Sequence, residues 1–485
     1  MKIITGNGGK IAFFSDLYEE AKTAAAERLR RMDDNMAQYH GTPLLDGEGA
    51  RVATQVRNIT YELIESEVAA DVPSPRVRAR FPDEKQSRNA AAVERLLAGL
   101  RRVLPYERLN ALDERYAPIY GGSVWLIEWD NDAVTGQTVG EGKLTCLSPT
   151  RFFGQPGVLD VQDMAYCFLD FETTVEDLVH RYGEKVRDAQ TEGDRTATLH
   201  VCFYKNEEGR VCRYVWTGEC ELSDIEGIFA RKRRVCSACG APTGACDCAD
   251  AKTVLLDEDG ETVPGARVGS DRGEVFVPYY EPRLFPIVIR KNVSGEDGLF
   301  GSSDCEVIRP QQQGINKLES RIMEKLLLGG VFPIVPENFR ETLDNSIFRR
   351  VFRASATNAK IFSRLDLQAD ITGDAKQSER LYDQAKRILG ISDSFQGMTD
   401  TTAQSGKAKE IQIAQAAGRL GGKKQMKRAA YAEMDKILFS FYLAYADEVR
   451  TTGENEAFDR FDFVVCDGDG NCRYCDDFLF DEVGE

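Results

Sequence analysis

Residues 298–330 read GLFGSSDCEVIRPQQQGINKLESRIMEKLLLGG, and their pattern decides the fold. Gly298–Ser303 is a Gly/Ser corner. After it, Ile308, Ile315, Leu318, Ile322, Leu326 and Leu327 recur at helical spacing and predict a helix over 304–328. Pro310 lies near its start, and Gly329–Gly330 end it. A mixed piece, 331–372, follows, with VFPIV and AKIFSRL as short strand candidates. A second helix over 374–389 ends in ERLYDQAKRILG. A polar loop, 391–404, leads to a third helix over 405–450, where Gly418, Gly421 and Gly422 predict a kink or break. At 1.5 Å per residue the first two helices span roughly 37 Å and 24 Å. Nothing in this layout gathers a catalytic pocket. It is a layout of helices arranged for assembly, with a loop between two of them.

Upstream, 12–40 reads as a polar, alanine-containing helix and 41–50 as a Gly-rich turn. Val56, Ile59, Leu63, Ile64 and Val68 predict a helix over 51–70, stopped by Pro73 and Pro75. Ala92, Val93, Leu96, Leu97 and Leu100 predict another over 86–103. Then the period changes. Tyr116–Glu128, YAPIYGGSVWLIE, reads as a strand after a Gly-Gly corner. Gly140–Cys146, Ser148–Phe153, Asp163–Asp170, Thr196–Tyr204 and Val211–Thr217 continue the β pattern. Thr173–Tyr182 is a short, Thr-capped helix. The expected class is α+β, with a mixed domain over 110–295 that carries a cysteine-bearing insertion.

The 485 residues exceed one ordinary core, so about two to four domains are expected. Hydrophobic residues at 42% and charged residues at 29% are a globular balance. The net charge of -17 opposes nonspecific wrapping of nucleic acid by the exterior. It is compatible with a repulsive surface facing DNA, since a channel through which DNA slides should not grip phosphate. The opening MKIITGNGGKIAFFSDLYEE lacks the apolar core of a signal peptide, and no run reaches about 18 apolar residues. No membrane partner and a reducing compartment are the expectation.

Seven of the 13 cysteines form two clusters, and an odd total does not suit a complete disulfide framework. In the first, Cys236, Cys239, Cys246 and Cys248 supply four thiolates within RVCSACGAPTGACDCAD. That set makes a closed tetrahedral zinc site, structural because it keeps no open position. So small and polar a segment would take its folding energy from the metal. The bland reading is surface disulfides or free thiols. The preceding Arg231, Lys232, Arg233 and Arg234 would touch nucleic acid, face solvent or neutralise the zinc–thiolate centre. The second cluster, Cys466, Cys472 and Cys475 in CDGDGNCRYCDD, is one thiolate short. Asp467, Asp469, Asp476 or a residue elsewhere would be the fourth ligand of a second zinc. A calcium loop is disfavoured, since Phe478 stands where the twelfth-position Glu belongs.

The three histidines, His40, His180 and His200, lie in no HExxH, HxH or triad-like spacing, and no Walker A, GxGxxG or GxSxG sequence occurs. Glu128, Asp130 and Asp132 are the nearest approach to a nuclease carboxylate set and read better as hairpin-turn residues. An enzyme is not expected. Between 405 and 430 the charges are Lys407, Lys409, Arg419, Lys423, Lys424, Lys427 and Arg428 against Glu410. Lys407, Lys409, Lys423, Lys424, Lys427 and Arg428 are candidates for contact with DNA phosphates or, preferably, with an acidic face of a neighbouring identical subunit.

The order of these pieces resembles one family, the portal proteins (head-to-tail connectors) of tailed double-stranded DNA bacteriophages. NITYELIESEV with the following PSP is similar to the start of their wing domain. ERYAPIYGGSVWLIEW resembles the Tyr-Gly corner leading into a wing strand. LSPTRFFGQPGVLDVQDMAYCFLDFETTVEDLVHRYG resembles their paired strands and short helix. GLFGSSDCEVIRPQQQGINKLESRIMEKLLLGG resembles the corner and first stem helix. YDQAKRILGISDSFQG and QSGKAKEIQIAQAA resemble the second stem helix, the tunnel loop and the start of the long wing helix. The likeness covers most of the chain, and the order of pieces is more specific than any one of them.

The resemblance implies an N-terminal arm (1–50), a wing (51–300) with a zinc-binding insertion (231–250), stem helices (304–328 and 374–389) and a clip (331–372). It further implies a tunnel loop (391–404), a long kinked wing helix (405–450) and a short crown or C-terminal tail (451–485). Ser392, Asp393, Gln396, Met398, Asp400 and Thr401 would be the channel-loop residues. The cysteine insertion and the short crown depart from the family pattern. What the family implies is a homo-oligomeric ring of about twelve subunits at one capsid vertex, in the host cytoplasm during assembly and then in the virion. The ring would pass double-stranded DNA and dock terminase, a head-tail adaptor, and major capsid and scaffolding proteins. The competing reading is a zinc-containing nucleic-acid-binding or scaffold protein acting as monomer or dimer. A metal-dependent nuclease using Asp130 or Asp132 is a remote third.

Overall fold

The predicted helices appear in their order with several boundaries moved by packing, while a helix over Tyr106–Tyr120, the strands Ser74–Ala79 and Ile287–Lys291 and the strands from Arg450 onward were not foreseen. The computed structural model of the protein describes residues 9–42, 55–135, 138–188, 195–229, 255–256, 262–263, 280, 282–293, 298–328, 331–336, 352–355, 364–366, 370–391, 406–446, 449–453, 456–466 and 472–483. For 331–336, 352–354, 364–366 and 406–420, and for Cys466 and Cys472, it gives the course of the backbone. The chain mixes helix and sheet, as an α+β reading requires.

Helix α1 (Gly9–Tyr39) buries Phe14, Tyr18, Ala21 and Ala25, a single face at helical spacing. Helix α2 (Ile59–Glu67) is shorter than the expected 51–70 because Asn58 caps it, its side chain accepting from the Tyr61 amide. Strand β1 (Ser74–Ala79) precedes α3 (Glu84–Val103), capped by Asp83. In α4 (Tyr106–Tyr120) the YAPIY segment is helical, with Pro118 inside, and Gly121 at φ 85° ends it. The strand of the YAPIYGGSVWLIE stretch therefore begins only after the corner, as β2 (Gly122–Thr135).

Strand β3 (Thr138–Leu147) pairs back on β2. Glu128 and Asp130 stand within that ladder, opposite Lys143 and Glu141, rather than at a hairpin turn. Next come β4 (Phe152–Gly154), β5 (Tyr166–Thr174), α5 (Val175–Tyr182), α6 (Lys185–Asp188), β6 (Thr196–Lys205), β7 (Val211–Thr217) and β8 (Cys220–Ile225). The strands β4 to β8 form one antiparallel meander in chain order. Both of its faces are covered, by the two-residue alternation of strands. Phe168, Cys202, Tyr204, Tyr214 and Trp216 pack with α1, while Cys167, Leu169, Val201, Phe203 and Val215 enter a second core.

Short strands β9 (Leu255–Leu256) and β10 (Thr262–Val263) pair with each other. Strand β11 (Ile287–Lys291) joins β2 and β3 in the order β11-β2-β3. Helix α7 (Asp304–Leu328) leads to β12 (Val331–Pro336), β13 (Phe352–Ala354) and β14 (Arg364–Asp366). In that small sheet β12 runs parallel to β13 and antiparallel to β14. Helix α8 (Thr372–Leu389) closes on Gly390 at φ 82°.

Helix α9 (Gly406–Tyr445) runs on through Gly418, Gly421 and Gly422, so the expected break does not occur there. Each glycine costs a helix only about 1 kcal/mol. Packing of Met434, Ile437, Leu438, Phe441 and Tyr442 in the largest core offsets that cost. The remaining strands are β15 (Arg450–Gly453), β16 (Glu456–Phe458), β17 (Val464–Cys466), β18 (Cys472–Tyr474) and β19 (Phe478–Val483). Strand β19 pairs along the whole of β1, and Phe458, Phe463 and Phe478 enter the α3–α9 core. The described parts of 451–485 thus pack against β1, α3 and α9.

Candidate functional site

Two glycine corners root the helical pair. A Cβ on Gly121 would lie 2.2 Å from the Gly301 carbonyl oxygen, and one on Gly301 would lie 2.3 Å from that of Val293. Only glycine permits such an approach. The Gly301 amide donates to the Gly121 carbonyl at 2.9 Å, and the Asn292 amide donates to the same oxygen at 3.0 Å. Ser303 Oγ donates toward the Ile119 and Pro118 carbonyls at 2.7 and 3.0 Å. The Gly/Ser corner thereby fixes where α7 leaves the body.

Helices α7 and α8 then pack on one another. Ile308 and Ile315 from α7 meet Ala385 and Leu389 from α8, and both meet Ile59 and Leu63 of α2. A Cβ on Gly314 would lie 2.8 Å from Leu381 Cδ1, so this glycine admits α8 to close range. Buried Gln312 accepts from the Thr60 amide at 3.0 Å and donates to the Arg57 carbonyl at 2.7 Å. Farther out, Ser378 Oγ donates to Glu319 Oε1 at 2.7 Å, and Asp374 takes Lys325 and, at 3.7 Å, Arg321. An open groove between the helices is lined by Glu319, Ile322, Ala375, Lys376, Glu379, Arg380 and Asp383. At the far end of α7, Met323, Leu326 and Leu327 stay 39%, 57% and 42% exposed.

The C-terminal part of α9 is docked by a polar ladder at four-residue spacing. Lys423 pairs with Glu67 and Asp304, each at 2.6 Å. Lys427 pairs with Glu114 at 3.0 Å and donates to the Asp71 carbonyl at 2.7 Å. Tyr431 OH donates to Asn110 Oδ1 at 3.1 Å, and Asp435 takes Arg101 at 2.9 Å. Arg101 also pairs with Glu482 of β19 at 2.9 Å and lies 4.1 Å from the Tyr106 ring centroid. Next to Lys427, Arg290 clamps Asp113 and Glu114.

Burial sets the electrostatics of the ladder. Burial, with Asp304 adding to it, pushes Glu67 up to about 7 despite Lys423. Burial also pushes Glu482 up, to about 10, with Asp435 the next cause. Burial works the same way on Glu114, but Arg290 and Lys427 outweigh it and hold that carboxyl below its usual range.

This ladder involves two of the basic candidates. Lys423 and Lys427 were candidates for DNA or a neighbouring subunit, yet the chain's own buried carboxylates take both ammonium groups. A local charge count cannot see carboxylates that arrive from elements hundreds of residues away. Lys424 and Arg428 lie on the same helix. Of Lys407 and Lys409 the helix position is described, and no side-chain contact is assigned.

The channel-loop residues Ser392, Asp393, Gln396, Met398, Asp400 and Thr401 lie outside the described residues, as do Cys236, Cys239, Cys246 and Cys248. Among the described residues no group of three His, Cys, Asp or Glu side chains is gathered as for a metal. The six cysteines outside the clusters, at 146, 167, 202, 212, 220 and 305, are buried free thiols. Burial pushes the Cys167, Cys202 and Cys305 thiols up, so they are core residues rather than nucleophiles.

One constellation was invisible to local spacing. Asp170 accepts from Tyr18 OH at 2.7 Å and sits 2.8 Å from His200 Nδ1, while the Tyr18 and His200 rings are 4.6 Å apart. It pins α1 to the meander sheet. No helix among the described residues is long and apolar enough to cross a membrane. No family model matches the chain, and no curated protein matches it.

Proposed function

We propose that the chain is a subunit of a phage portal ring, the channel for DNA packaging and ejection at one capsid vertex. The observation that carries this reading is the helical pair. A body sends out α7, a small sheet follows, α8 returns, and the long α9 docks back into the body. The end of α7 keeps Met323, Leu326 and Leu327 uncovered, as a face meant for another copy would. In this reading α7 and α8 are the stem, 331–372 the clip, 391–404 the tunnel loop and α9 the long wing helix. Net acidity lowers friction on DNA. Terminase, adaptor, capsid and scaffolding proteins would be the partners. The cysteine set 236–248 would hold a structural zinc at the wing periphery.

Lys423 and Lys427 were candidates under the ring and the scaffold readings alike, so their pairing within the chain favours neither. The test is the mass and symmetry of the purified protein by light scattering and negative-stain imaging. A closed ring of about twelve 54.1 kDa chains, about 650 kDa, is expected. A monomer or dimer under all assembly conditions overturns the proposal.

A further inference from the structure

Three elements meet at one guanidinium. Arg101 Nη2, from α3, donates to Asp435 Oδ2 of α9 and to Glu482 Oε1 of β19, each at 2.9 Å. The two carboxyl side chains are 1% and 0% exposed. Arg101 Nε also donates to the Pro73 carbonyl at 3.3 Å, at the entry to β1. Because β19 pairs along β1, this cluster ties both strands of that ribbon to α9.

Arg101 brings one positive charge to two buried carboxyls. Their second oxygens, Asp435 Oδ1 and Glu482 Oε2, are buried and accept no hydrogen bond from a described donor. The two carboxyls nevertheless lie within hydrogen-bonding reach of each other. Two ionised carboxylates so placed repel, with no donor between them. A single proton removes the conflict. One carboxyl then donates to the other, and Arg101 matches the negative charge that remains. Around the pair, the rings of Tyr106 of α4 and Tyr431 of α9 lie 4.1 and 5.4 Å from the Arg101 guanidinium. Burial raises both phenols, so they bring no charge. Lys427, one turn before Tyr431, is taken by Glu114 and the Asp71 carbonyl. Burial raises Asp435 and Glu482 too, and the charge of Asp435 adds to it at Glu482.

We propose that Asp435 and Glu482 share one proton at neutral pH, and that this proton locks the β1–β19 ribbon onto α9. The proton belongs to the pair rather than to either residue. When the ribbon opens, Glu482 reaches water and ionises while Asp435 keeps Arg101, so one proton leaves to solvent. The closed form therefore holds a proton that the open form has lost. Opening grows easier as pH rises above the ordinary carboxylate range, by about tenfold per pH unit for one proton. It levels off where the closed pair itself gives up the proton. The proposal is independent of ring formation.

The test uses the full-length protein. Infrared spectroscopy in heavy water at about pH 8.5, where ordinary carboxyls are ionised, should show the carbonyl stretch of a protonated acid. E482Q and D435N should each lose that band, since either leaves one carboxylate matched to Arg101. Amide exchange of strands 74–79 and 478–483, corrected for its intrinsic rate, gives the second readout. Wild-type protection there should fall about tenfold per pH unit between pH 7 and pH 9. In E482Q, whose amide donates to Asp435 at every pH, it should stay level. No band at pH 8.5, a band that survives both variants, or wild-type protection level with pH would each overturn the proposal. The wild-type spectrum and slope need no variant to fold.

Discussion

The Gly301 amide donates a 2.9 Å hydrogen bond to the Gly121 carbonyl, joining two corners that the chain separates by the whole of its β-rich body. This contact sets the take-off of α7. Alanine at Gly301 would push a Cβ onto the Val293 backbone. Gly301→Ala should therefore cost about 1–3 kcal/mol, read as a lower urea midpoint. By contrast, a Cβ on Gly421 meets nothing within 4 Å. Gly421→Ala should stabilise by up to about 1 kcal/mol. Equal effects at the two sites would show that the corner does not depend on close backbone approach.

Arg101 donates to two buried carboxylates, Asp435 of α9 and Glu482 of β19, at 2.9 Å each. Removing one partner from a buried ionic network leaves charge uncompensated. Arg101→Met should destabilise by about 3–5 kcal/mol, measured by denaturant unfolding. A loss below about 1 kcal/mol would mean the network contributes no more than a surface pair.

Glu67 titrates near 7 when folded, above its ordinary 4.5, because burial and Asp304 oppose its charge. Between those values the folded chain holds a proton that the unfolded chain has lost. Stability from this group therefore falls as pH rises across that window and is level above it. Glu67→Gln stays neutral throughout. The variant should gain on wild type between pH 5 and pH 8, seen in urea midpoints at the two pH values. A gap that does not change with pH sinks the assignment.

Leu326 and Leu327 are exposed on α7, so charge there should leave the subunit folded. The double variant L326E/L327E should stay within about 0.5 kcal/mol of wild type per site. If the proposed ring forms, this variant should nonetheless fail to assemble it, as seen by light scattering. Rings of normal mass from this variant would remove the apolar end of α7 from the assembly interface.

Local pattern was enough to place several of the elements, though not the helix Tyr106–Tyr120 or the strands from Arg450 onward. The 304–328 helix is observed with those bounds, and Gly390 closes α8 as the glycine rule requires. Val211–Thr217 is a strand as its alternation predicts. Periodicity and glycine punctuation act over a few residues, so they survive in a linear reading. Helix α9 runs on through its glycines without a break, because docking in a core overrides local propensity.

Which groups meet follows from the folded arrangement alone. Nothing local marks Lys423 as the partner of Glu67, 356 residues away, or Asp170 as the acceptor for Tyr18, 152 residues away. Those pairings turn an exposed-looking basic stretch into a buried docking ladder. Their reason is desolvation: once α9 is buried, its charges must find partners inside the chain. Burial is a property of the folded whole, and no short window of sequence contains it.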